Sequence, residues 1–138
     1  TTTNGCNQIM GASALNASIA AGPGSFVLSA TQVEGTQSGV MFYGINGRAA
    51  VVWGAGSTSF LCVKAPLVRG PVSNAGGTFA ACDGVLSLDF FAFMAANPSV
   101  PGNPLTAGQM FDAQAWFRDP PAPKTTNLSD GIEWTLCP

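Results

Sequence analysis

The chain has 138 residues, a net charge of −2 and 9% charged residues, against about 25% charged residues in a typical soluble domain. That length suits one domain, which buries about two-thirds of the surface its unfolded chain exposes. Nine Phe, three Trp and one Tyr exclude a disordered chain, the charge balance removes the electrostatic case for nucleic acid or anionic membrane, and no apolar run reaches the length of about 20 residues that spans a bilayer.

Residues 1–24 are rich in Gly, Ala, Ser, Thr and Asn. Leu15, Ala17 and Ile19 alternate there with polar residues, and Gly22-Pro23-Gly24 breaks the chain. This reads as an extended N-terminal segment ahead of a single domain over 25–138. Ser25 to Thr31 is expected to be a strand, with Phe26, Leu28 and Ala30 on one face. Val40 to Ile45 and Arg48 to Trp53 flank Asn46-Gly47, the pair that favours a type I′ hairpin. Ser59 to Lys64 is a further strand and Thr78 to Cys82 a short one. Val85 to Met94 alternates so that Leu86, Leu88, Phe90, Ala92 and Met94 share a face, which favours strand over helix. Gln109 to Arg118 places Phe111, Ala113, Ala115 and Phe117 opposite Asp112, Gln114, Trp116 and Arg118. Gly131 to Cys137 closes the chain with Ile132, Trp134 and Leu136 inward. Eight or nine short strands separated by turn signals predict an all-β antiparallel sandwich or jelly roll.

Four cysteines on a Gly/Ser/Thr-rich chain that opens in small polar residues are expected to form disulfides in an oxidising compartment, placing the protein outside the cell or on its surface. Four cysteines allow three connectivities. Cys62 with Cys82, and Cys6 with Cys137, is the expected pairing, because the first two flank one connection and the last two lie near the chain ends. A zinc site is disfavoured, since its ligands come in closely spaced pairs and no such pair is present. No metal and no cofactor are expected.

There is no histidine, which removes Ser-His-Asp and Cys-His arrangements and the usual neutral-pH base. No nucleophile elbow and no phosphate-binding loop is found. Seven acids remain, of which Asp112 with Asp89 or Glu133 is the pairing that faces across strands. Structural roles account for them more simply, so no catalytic residue is assigned. Asn127, Ser129 and Asp130 in one turn are an oxygen-ligand set for Ca²⁺, although such residues also serve turn geometry. The five basic residues, Arg48, Lys64, Arg69, Arg118 and Lys124, form no cluster in sequence.

Trp53, Trp116 and Tyr43 are the candidate sugar-binding aromatics, with Trp134 in the core. Trp116 lies on the polar face of its strand, beside Arg118. Arg118 and Asp130 sit on either side of a connection of about ten residues and are expected to form a partly buried structural clamp.

As a set, several stretches resemble a secreted β-module recurring in planctomycete and related bacterial extracellular proteins. They are Ser38 to Gly44 with Asn46-Gly47-Arg48-Ala49, Leu61-Cys62-Val63-Lys64 with Pro66 and Arg69, and Cys82 with Gly84-Val85, Asp89 and Ala92-Phe93. Gln114 to Pro120 and Asn127 to Gly131 complete the set. The resemblance runs from about Phe26 to Pro138. The family pattern carries Cys where this chain has Ala113, and another before Cys6. Their joint absence implies that those two pair with each other in relatives. The resemblance implies a compartment and a module type, and no activity.

The expected function is therefore a non-enzymatic extracellular structural or adhesive module, self-assembling as a filament or surface-layer subunit. Its expected partners are copies of itself or another extracellular protein, with no nucleic acid and no membrane insertion. The low charge and the strand-like Leu15–Ile19 segment, expected to add to the exposed sheet edge of a neighbouring copy, motivate that reading. The alternative is a carbohydrate-binding module of a secreted protein.

Overall fold

Met110–Arg118 alternates apolar and polar side chains along nine residues, and a strand with that pattern can bury one face in a core. It organises the fold. The computed structural model describes Thr2 and residues 5–138. In chain order the strands are Ile9–Ala12 (β1), Ala17–Ser18 (β2), Val27–Val33 (β3), Ser38–Gly44 (β4), Arg48–Val52 (β5) and Phe60–Val63 (β6). Val68–Arg69 (β7), Ser73–Asn74 (β8), Gly84–Asp89 (β9), Met110–Arg118 (β10), Thr126–Leu128 (β11) and Ile132–Cys137 (β12) follow, with one helix, Phe90–Ala96 (α1).

The larger sheet runs β2-β12-β10-β4-β7, with β8 added to β4 and β11 to β10. The smaller runs β1-β3-β9. All pairings are antiparallel except β2 with β12 and an isolated bridge between Gly35 and Phe79. The two sheets face each other across one core. Leu28, Ala30, Leu86 and Leu88 come from one side, and Met41, Tyr43, Phe111, Ala115, Phe117 and Trp134 from the other. The fold is thus an all-β, disulfide-stabilised sandwich. It has more strands than the eight or nine expected, because β2, β7, β8 and β11 are only two or three residues long and carry no readable alternation.

The remaining two strands, β5 and β6, form a separate ribbon on the outer face of the larger sheet. Its Val63 is buried with Phe42 and Leu128, with Trp53, Leu61, Leu67 and Trp116 packed around them. Gln114 fastens it. The side chain is fully buried; its Nε2 donates to Phe60 O and Ser129 O, and its Oε1 accepts from Cys62 N. One amide thereby satisfies backbone groups of β6 that no neighbouring strand reaches.

Four expectations are corrected. The Asn46-Gly47 hairpin does not form, because β4 is already paired with β10 on one side and with β7 and β8 on the other. Only Gly47 has positive φ, at 89°, and β5 leaves the sheet to pair with β6. Gly44 is required where they part, since a Cβ there would lie 2.7 Å from Val63 Cγ1 and 2.8 Å from Lys64 O. Secondly, the alternation after Val85 ends at Asp89. Asp89 Oδ1 accepts from Ala92 N and caps α1, which buries Phe90, Phe91 and Met94. Thirdly, Thr78 to Cys82 forms only the Phe79 bridge.

The fourth concerns the N-terminal segment, which is built into the domain rather than extended from it. Ile9–Ala12 adds to β3 in register Ile9↔Thr31 to Ala12↔Leu28, and Ala17–Ser18 adds to β12. Met10 and Ala17 are in the core, and Met10 N donates to Asp130 Oδ1 at 2.6 Å. Leu15 is fully exposed at the turn between them.

Candidate functional site

The disulfide joins Cys6 to Cys82, while Cys62 and Cys137 are free thiols. The expected pairs are both corrected. β12 lies beside Ala17–Ser18, well past Cys6, so Cys137 does not meet Cys6. Cys6 instead leads into β1, and β3 carries that edge to Gly84 of β9, next to Cys82. Cys62 sits on the outer ribbon, where Gln114 holds its N–H, and its thiol is pushed up by burial and then by the Asp130 charge.

The Arg118–Asp130 clamp does not form either. β11 turns straight back along β10, pairing Arg118 with Thr126, and Ser129 N reaches Ala115 O. Asp130 is carried to the far end, where it receives the Met10 N–H. The Arg118 side chain is exposed and has no ion-pair or hydrogen-bond partner among the described residues. The turn acids and amides are spent on the fold as well. Asn127 Nδ2 donates to Asp119 Oδ2, Asn127 Oδ1 accepts from Ser59 Oγ, and Ser129 Oγ accepts from Ala115 N. Among the described residues no three His, Cys, Asp or Glu side chains come together as metal ligands.

Of the three candidate aromatics, Tyr43 is in the core, packed against Phe90, Phe93 and Phe111. Its hydroxyl donates to Pro101 O at 2.7 Å, and burial pushes its pKa up to about 12. It is unavailable to a sugar. Trp134 stacks on Phe111 in the same core. Trp53 and Trp116 are partly exposed and meet edge to face at 6.2 Å. The Arg69 guanidinium lies 4.6 Å from the Trp116 centroid, and Lys124 Nζ lies 4.3 Å from that of Trp53. Trp53 Nε1 donates to Thr126 Oγ1. Arg118 is two residues beyond Trp116 on the same face of β10 and shares with it a cavity of about 160 Å³, lined also by Val40, Val72 and Thr126. Three of the five basic side chains thus converge on two Trp. Residue spacing places only Arg118 beside Trp116, because the three are contributed by β7, β10 and the turn before β11.

A second cleft, of about 420 Å³, opens between the ribbon and the larger sheet and is lined by Arg48, Cys62, Asp112 and Glu133. Asp112 and Glu133 oppose each other in the β10–β12 register, and Arg48 donates from Nε and Nη2 to the two Glu133 oxygens at 2.9 and 2.5 Å. Burial and then the neighbouring Glu133 push the Asp112 carboxyl up to about 6, whereas Arg48 pulls Glu133 down.

The third feature is the free edge of the ribbon. Among the described residues β5 pairs only with β6. Ala50, Val51 and Val52 are all exposed, Val51 and Val52 by more than half, and Phe60 opposite Val52 is 49% exposed. Successive residues of a strand point to opposite faces, so the tip of the ribbon is bare on both. No family model, curated protein or solved structure matches the chain.

Proposed function

We propose that this chain is a non-enzymatic extracellular structural or adhesive module that pairs with a second copy of itself along β5. The observation that carries this reading is the unpaired edge of Arg48–Val52, which combines open backbone groups with exposed Val51 and Val52. Monomeric sheet proteins blunt such edges with Lys, Pro or a cover. Here the only charge is Arg48, and its side chain is turned aside to Glu133. Two copies related by a twofold axis at Ala50 would form an antiparallel pair in which each Val52 meets the other's Arg48 stem and no like charges face. The net charge of −2 opposes association weakly. The Cys6–Cys82 bridge and the resemblance to secreted β-modules support the extracellular setting.

This replaces the route suggested by sequence alone, in which the N-terminal segment adds to a neighbour's sheet: that segment is already paired within its own domain. The test is cysteine trapping at the axis. Ala50→Cys in a Cys62→Ser/Cys137→Ser background is expected to oxidise to a covalent dimer on a non-reducing gel. An Ala14→Cys control, at the exposed β1–β2 turn, is expected to remain monomeric. Equal trapping at both positions, or none at residue 50, would overturn the reading.

A further inference from the structure

The structure assigns to the outer face around Trp53, Trp116, Arg69, Arg118 and Lys124 a binding site for an anionic polysaccharide, with a uronic-acid ring as the recognised unit. The site is independent of the β5 edge. Four observations converge on it. Basic side chains are scarce in this chain, yet three of the five are gathered here. None of the three has an acidic partner among the described residues, whereas Arg48 is paired with Glu133. All three are exposed, so a ligand reaches their charged ends. Beside Trp116 and Arg118 lies a mostly apolar cavity of about 160 Å³, lined also by Ser38 and Thr126, which is the size of one sugar ring.

The arrangement selects the ligand chemistry. Arg69 and Lys124 already cover ring faces of Trp116 and Trp53, so a neutral sugar has no open aromatic platform to stack on. What faces solvent is cationic, and the rings beneath hold the cations in place. A guanidinium presents parallel N–H donors that fit a planar carboxylate in two bonds. Arg118 at the cavity rim therefore meets the carboxylate of a uronate whose ring edge enters the apolar cavity. Arg69 and Lys124, further along the same face, meet the carboxylates of neighbouring units, so the ligand is a polymer. A nucleic acid is the less suitable polyanion. Its binding scales with the number of phosphates neutralised, and three cations on a chain of net negative charge supply few.

The test is retention of the whole chain on immobilised polymers at low salt: polygalacturonate, dextran sulfate, neutral dextran and single-stranded oligothymidylate. Polygalacturonate is expected to retain the protein most strongly. Arg118→Gln and Arg69→Gln are each expected to weaken that binding about tenfold, since each removes one charge-assisted pair. Lys64→Gln, an exposed charge outside this cluster, is expected to leave it unchanged. Thermal melts should show Arg118→Gln folded as wild type, because that side chain supports no other group. Equal retention on neutral dextran, stronger retention on dextran sulfate or the oligonucleotide, or full binding by Arg118→Gln would each overturn the assignment. A failure of β5 pairing would leave it standing.

Discussion

Asp112 and Glu133 face each other directly across β10 and β12, the first buried and the second gripped by Arg48. The Asp112 carboxyl is raised from its ordinary 3.8 to about 6. A raised acid costs the folded state stability above its folded pKa, and the cost is released as pH falls toward the unfolded value. Glu133, held low by Arg48, loses its contribution only in stronger acid. Stability is therefore expected to be greatest near pH 4, to decline as pH rises from about 4 to 6, and to level off above that. Asp112→Asn should remove the decline and add about 1 to 3 kcal/mol at pH 7.5. Denaturant melts across that range check this, and superimposable profiles for the two proteins would contradict it.

Non-reducing peptide mapping should show Cys6 linked to Cys82, with Cys62 and Cys137 labelled as free thiols once the protein is opened. The bridge spans 76 positions, so reducing it is expected to cost about 4 kcal/mol on the loop-entropy account. A Cys62–Cys82 peptide would show that the ribbon and the β1-β3-β9 edge are placed wrongly.

Gln114 is the fastener of the ribbon, with hydrogen bonds to the backbone of Phe60, Cys62 and Ser129. Gln114→Ala should cost about 2 to 4 kcal/mol, through the lost bonds and the buried groups left unpaired. Hydrogen exchange should quicken in Phe60–Val63 while β10 against β4 stays protected. Uniform loss of protection would mean that the ribbon and sheet unfold as one unit.

Arg118→Ala should change stability by no more than about 0.5 kcal/mol, as for an exposed side chain without structural partners. A loss of several kcal/mol in the melt would restore the clamp expected from sequence.

The parts legible in sequence were those governed by period-two alternation over a long stretch. Phe111 to Phe117 inward, Phe26 to Ala30 inward, and Trp134 and Leu136 inward all follow from it, and with them the all-β class. The failures share a cause, which is that local signals compete with neighbours far away in the chain. Asn46-Gly47 is a sound turn, but β10, β7 and β8 had taken both edges of β4. Asp89 marked the start of a helix by its capping carboxylate, and the alternation running through it hid that mark. Cysteine pairing and the basic cluster depend on which strands become neighbours, information that residue spacing does not carry. Of the candidate site residues, Trp53 and Trp116 do lie together. Tyr43, two residues from Met41 on the inward face of β4, was readable as core from that same alternation.

The central claim, pairing of two copies through β5, is tested most directly by light scattering on the size-exclusion peak across a wide concentration range. Wild type is expected to move from monomer to dimer as concentration rises. Val51→Lys, which puts a charge in the exposed edge without touching the core, should stay monomeric with an unchanged melting temperature. A wild-type protein that remains monomeric at the highest concentration, or a Val51→Lys variant that dimerises equally well, would contradict the account.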